Sequence, residues 1–132
     1  GSIPSVAVAV ERPAQVRGVI VDSPVALGEE FARFDFFFGG APSFGSLLDP
    51  TLYTEDVIGG LREPLLVFLH EEDQVTPAKS VELLYERAAG PKELVRFPEL
   101  QHARGQFLRT EEYLQHLETF LIAQWPESLL LR

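Results

Sequence analysis

The chain contains no cysteine, which excludes disulfides and thiolate metal sites and leaves the redox compartment open. It contains no methionine either, so its first residue reads as a processing or expression boundary. Gly1-Ser2 is then either native sequence or a tag remnant. No apolar run approaches the ~18 residues that a membrane span needs. No basic stretch leads into an apolar one, as a signal peptide would require, and a cytoplasmic location is expected on those grounds. Positive charge is scarce, with 11 Lys and Arg against 20 Asp and Glu, a formal net charge of −9. Nothing in that balance would neutralise phosphates, which argues against a nucleic-acid partner. No glycine-rich loop follows a strand, because Gly39-Gly40 closes a helix-like segment, so a nucleotide-binding module is the weaker reading.

What is present suits a small globular domain of 132 residues, 45% hydrophobic and 23% charged. Ser5 to Glu11 alternates like a strand, yet its small residues and the Arg12-Pro13 stop also fit a helix end. Val16 to Val21 is β-branched, ends at Asp22-Ser23-Pro24, and reads as a buried strand. Ala26 to Phe38 turns helical, with Phe31, Phe34 and Phe38 at spacings of three and four. Leu47, Leu48, Leu52, Val57, Ile58 and Leu61 suggest one or two short helices before Pro64. Leu65 to Leu69 is the clearest strand. Pro77 to Ala89 is an amphipathic helix with Val81, Leu84, Tyr85 and Ala88 on one face, stopped by Gly90-Pro91. Glu93 to Phe97 gives a third strand. A last helix is expected from Thr110 as N-cap, with Leu114, Leu117, Phe120 and Leu121 as its apolar stripe. Strands that are apolar throughout and separated by helices mean an α/β fold, three layers α/β/α around a parallel sheet of about three strands. Residues 25–63 read as a helical, lid-like insertion within one domain spanning 1–132.

Functional groups in such sheets collect beyond the carboxyl ends of the strands. His70-Glu71-Glu72-Asp73 leaves the second strand there, and His102 follows the third. A carboxylate and an imidazole on neighbouring strand ends can pair, the acid fixing the tautomer and leaving the second ring nitrogen as a base. His70 reads as structural. The acidic run reads as a solvated turn, because consecutive residues cannot all face one metal ion. Ser2 and Ser5 lack the flanking glycines of a strained nucleophile turn, Ser23 reads as turn chemistry, and His116 carries no signal. The six phenylalanines from Phe31 to Phe44 read as core, or as an acyl-binding wall.

These residues also carry a resemblance. Pro64 to His70 followed by Asp73-Gln74-Val75-Thr76-Pro77 resembles the α/β-hydrolase pattern of strand, turn, catalytic acid and a proline four residues on. Phe97 to His102 looks like the strand and loop that deliver the catalytic histidine, and acid and histidine stand 29 residues apart, in the order this fold uses. Val16 to Pro24 is similar to the strand after the nucleophile helix. Gly1 to Val6 resembles the residues just after the nucleophile elbow, as in the esterase and depalmitoylase-like branch, with Gly1 as the last glycine of Gly-x-Ser-x-Gly. The resemblance therefore covers nearly the whole chain but only the carboxyl-terminal half of the family fold. It implies a serine hydrolase of esters, thioesters or amides, with Asp73 as acid, His102 as base, no cofactor, and the serine two residues before Gly1. Two departures stand out: Glu71 occupies a place where the family usually has glycine, and no Gly-x-Ser-x-Gly occurs in the chain. By itself the chain is expected to be inactive. The other reading is a non-catalytic module that binds a missing amino-terminal half or self-associates through its exposed sheet edge.

Overall fold

A computed structural model describes residues 2–38 and 49–125. The first segment resolves as a helix, α1 (Ser2–Glu11). Pro4 is tolerated in its first turn, and Val6 and Ala9, three apart, are its buried residues. A helical face explains this pattern where strand alternation does not, because Val8 points to solvent. A short 3-10 turn (Pro13–Gln15) leads to β1 (Val19–Asp22) and then α2 (Leu27–Phe38). From residue 49 to Pro64 the chain forms a 3-10 turn (Pro50–Leu52), the one-turn helix α3 (Thr54–Val57) and another 3-10 turn (Ile58–Gly60). Residues 39–48 of the expected lid-like insertion, with Phe44 of the phenylalanine group, lie outside the described residues.

β2 (Leu65–His70), α4 (Ala78–Arg87), β3 (Lys92–Phe97), α5 (Gly105–Leu108) and α6 (Thr110–Gln124) complete the chain. The strands form one parallel sheet in the order β1-β2-β3, with Val19 opposite Leu65 and Leu65 opposite Lys92. All six residues of β2 are buried, as a central strand covered on both faces requires. Its alternate side chains feed two cores. Leu65, Val67 and Leu69 pack with Val6, Ile58 and Leu84 on one side. Leu66 and Phe68 pack with Val95, Phe97, Tyr113 and Phe120 on the other. The result is the expected α/β/α sandwich. α4 is closed by Lys92, whose ammonium donates to the carbonyls of Tyr85, Glu86 and Ala88 at 2.7 to 2.9 Å, where a cation also favours the helix dipole.

Two expectations for α6 need correction. Thr110 is the first helical residue, and its hydroxyl donates back to the Gln106 carbonyl at 3.0 Å instead of capping forward. The buried stripe is also turned by about one residue. Tyr113 and Phe120 are buried while Leu114 is 55% and Leu121 40% exposed. The cause is Tyr113, which stacks on Phe68 at 4.0 Å and donates its hydroxyl to Asp22 Oδ2 at 3.1 Å. Its ring takes the place beside the sheet that a leucine stripe was expected to fill.

Candidate active site

The carboxyl ends of β2 and β3 are laced together beyond the regular strands. Glu71 N donates to Phe97 O, and Glu72 N to Leu100 O, at 3.1 and 3.2 Å. Glu71 and Glu72 point to solvent while Asp73 folds inward, so the acidic run diverges rather than converging on one point. Arg96 binds Glu71 at 3.5 Å and Glu82 at 2.8 Å, which anchors the outer side of the turn.

Asp73 is almost fully buried, its side chain 1% exposed. Oδ1 accepts the backbone N–H groups of Val75 and Thr76, both at 2.8 Å, an Asx-type turn. It does not cap α4, whose N-cap position is Pro77. Oδ2 lies 2.7 Å from His102 Nδ1. Burial alone would raise the Asp73 carboxyl, but the Thr76 amide, His102, Ser23 and the Val75 amide together hold it below the ordinary range. An ionised carboxylate only accepts, so His102 Nδ1 carries the proton and donates it. Nε2 is left with a lone pair, on a side chain 42% exposed. Asp73 and His102 are thus brought together across two loops in the orientation of an acid and a base.

Beneath this pair lies a buried polar network that sequence reasoning missed. His70 is buried against Phe97, ring centroids 5.3 Å apart. Its Nε2 accepts the Gly105 N–H at 3.0 Å, and its Nδ1 lies 3.1 Å from Ser23 Oγ and 3.4 Å from Asp22 Oδ1. Burial pushes the His70 imidazole down although Asp22 and Asp73 pull it up. Burial also pushes the Asp22 carboxyl up, against the opposing pull of His70 and the Tyr113 hydroxyl. The Tyr113 phenol is pushed up by burial and by the adjacent Asp22. Asp22 Oδ1 accepts no hydrogen bond.

Ser23 and His70 look at first like a nucleophile and its base. The tautomer excludes it. A backbone N–H can only donate, so Nε2 of neutral His70 is the acceptor and Nδ1 already holds a proton. Nδ1 therefore cannot take one from Ser23. Both ring nitrogens of His70 have partners, Gly105 and Ser23, so Ser23, read from the sequence as turn chemistry, also makes a long-range side-chain contact. It is buried and adopts φ 47°, a left-handed conformation. Its place at the carboxyl end of β1 was the available signal. Ser2 and Ser5 lie in α1, and His116 pairs at the surface with Glu93 at 3.3 Å. A cleft of about 260 Å³ beside β3, lined in part by Arg96, Leu100 and Arg109, includes neither Asp73 nor His102.

The parallel sheet with its flanking helices has the α/β-hydrolase fold, in its carboxyl-terminal part, as the likeness to solved structures shows. No protein-family model matches the chain, and no curated protein does. Solved structures do match. Est1E from Butyrivibrio proteoclasticus is 18% identical with a TM-score of 0.71, covering 96% of this chain and 58% of that one. The monoacylglycerol lipase of Paleococcus ferrophilus is 14% identical with a TM-score of 0.68, covering 94% and 65%. The Pyrococcus furiosus esterase Pf2001 is 20% identical with a TM-score of 0.64, covering 93% and 49%. Identities this low speak to fold alone. The chain spans roughly half the length of the proteins it matches. None of the described helices is long and apolar enough to cross a membrane.

Proposed function

We propose that this chain supplies the acid and the base of a serine-hydrolase triad, with Asp73 as acid, His102 as base, and the nucleophilic serine upstream of Gly1. The observation that carries the reading is the 2.7 Å bond between buried Asp73 Oδ2 and His102 Nδ1, which leaves Nε2 as the ring nitrogen available to act as a base. In this scheme His102 Nε2 takes the serine proton as the hydroxyl attacks an acyl carbon. The proton is then returned to the leaving group, while Asp73 stabilises the imidazolium. The substrate is an ester, thioester or amide. The esterases and lipase that share the fold favour the ester.

The test is hydrolysis of a p-nitrophenyl ester by the chain alone and by the chain joined to its natural upstream sequence. The joined protein should turn over the ester and lose about 10³–10⁴-fold in kcat on Asp73→Asn or His102→Gln. The chain alone should not exceed buffer. Turnover by the chain alone that survives both substitutions would refute the assignment.

A second reading is favoured by one feature. β1 pairs only with β2 among the described residues, so its other edge, carrying exposed Ile20, is open. A non-catalytic module would use this edge to self-associate or to bind a complementary half. A monodisperse monomer by sedimentation at tens of micromolar would dismiss self-association.

A further inference from the structure

We propose that His70 is the positioning residue of the Asp73–His102 pair: its backbone carbonyl holds the turn that carries Asp73, and its imidazole Nε2 holds the loop that carries His102. The inference rests on reading that pair as acid and base.

Two hydrogen bonds make the connection. Asp73 N–H donates to the His70 carbonyl at 3.2 Å, and Gly105 N–H donates to His70 Nε2 at 3.0 Å. Gly105 follows His102 by three residues, and between them the chain is a tight turn in which Arg104 N–H donates to the Gln101 carbonyl at 3.1 Å. On the other side of His102, the Leu100 carbonyl accepts from Glu72 N–H at 3.2 Å. The His102 loop is therefore fastened to the exit of β2 both before and after the imidazole it carries. Only the second fastening uses a side chain, and that side chain belongs to the residue whose carbonyl holds Asp73. The 2.7 Å bond between Asp73 Oδ2 and His102 Nδ1 weakens steeply with misalignment, so it depends on both loops being set from one point.

The residue types fit this task. His70 ends a strand whose other five residues are apolar, and it is as buried as they are. A polar ring is costly there unless its nitrogens are bonded, and an apolar side chain would suit the burial without holding the loop. Nδ1–H donates to Ser23 Oγ at 3.1 Å and faces Asp22 Oδ1 at 3.4 Å, which keeps the proton on that nitrogen and leaves Nε2 a bare acceptor. Ring stacking on Phe97 fixes the plane. Gly105 meets the ring closely, since a Cβ there would lie 3.0 Å from His70 Nε2 and 2.7 Å from the Phe97 ring. The loop also needs holding. Directly after His102 it passes through Ala103 at φ 49°, a left-handed conformation that strains a residue with a Cβ.

The experiment is nitrogen NMR at neutral pH on the full 132-residue chain, unaltered and as His70→Gln and His70→Asn. A glutamine carbonyl reaches the place of Nε2 and can accept the Gly105 amide. An asparagine reaches only the place of Nδ1 and leaves that amide without an acceptor. The unaltered chain should show a scalar coupling across the Gly105 N–H···Nε2 bond, with the His102 proton on Nδ1. In His70→Asn, exchange of the Gly105 amide should quicken about tenfold or more, and ring ¹⁵N shifts should show the His102 proton divided between its two nitrogens. His70→Gln should restore both. A residue that only fills the core would leave the His102 ring unchanged in either variant. The inference is overturned if the coupling is absent from the unaltered chain, or if His70→Asn keeps the His102 proton on Nδ1. Should His70→Asn fail to fold, the coupling and the His70→Gln spectrum carry the test. If the coupling is present but His102 lacks its Nδ1 proton in the unaltered chain, the acid–base pairing itself fails and the inference falls with it.

Discussion

Replacing Asp73 by alanine and by asparagine separates its structural work from its chemical work. Its carboxylate accepts three hydrogen bonds of 2.7 to 2.8 Å. Bonds to a charged group contribute about 1.5–3 kcal/mol each, but water replaces those whose other partner is exposed. Val75 is 69% exposed and His102 is also open to solvent, so in Asp73→Ala mainly the buried Thr76 amide is left orphaned. The cost is then about 2–3 kcal/mol, most of it that amide's desolvation. For a chain of this size that lowers the melting midpoint by roughly 5–15 °C. Asparagine keeps an oxygen at the Oδ1 position for both amides, so Asp73→Asn should cost about 1 kcal/mol or less. Its NH₂ group then faces His102 Nδ1, where a second donor is repelled. The imidazole should move its proton to Nε2 and present no base outward. Thermal unfolding followed by circular dichroism gives the first quantity, and ring ¹⁵N shifts of His102 at neutral pH give the second. The reasoning is refuted if both variants melt alike, or if His102 keeps its proton on Nδ1 in Asp73→Asn.

Three further outcomes follow from the same structure. Asp73 titrates below its ordinary value in the folded chain, so its stabilisation is present above the unfolded carboxylate pKa and is lost as pH falls through the folded one. Asp22 is raised, so its contribution is greatest below the unfolded value and is lost as pH rises through its folded one. In melting curves against pH, the difference between the unaltered chain and Asp73→Asn should therefore shrink below about pH 4, and Asp22→Asn should gain on the unaltered chain toward neutral pH. Gly105→Ala should destabilise by about 1–3 kcal/mol in denaturant titrations, because its methyl group would press on Phe97 and His70. Phe68→Ala should cost about 3–5 kcal/mol in the same assay, since the ring is fully buried and stacked on Tyr113.

The strands were legible because a strand covered on both faces needs an unbroken apolar run, and Leu65 to Leu69 can hardly be anything else. Asp73 and His102 were legible for a related reason: strand ends are the places where a parallel sheet presents side chains. α1 was ambiguous because six alternating small residues satisfy a strand period as well as a helical face. Only the packing of Val6 and Ala9 against the sheet decides between them. The α6 stripe was misjudged because a tyrosine counts as half polar in a periodicity reading. Tyr113 is buried here by a stack and by a hydrogen bond to a residue 91 positions away. Ser23 and His70 stand 47 apart, and nothing local in either segment announces the other. Contacts of that range depend on strand register, which the pattern of apolar residues implies only loosely.

The central claim is that Asp73 and His102 are two members of a triad whose serine stands just before Gly1. Reading the coding sequence immediately upstream of Gly1 tests it most directly. The account predicts Gly-x-Ser-x running straight into Gly1 and completing a nucleophile elbow ahead of α1. A start codon or an unrelated sequence there would contradict it, leaving an acid and a base with no serine to activate.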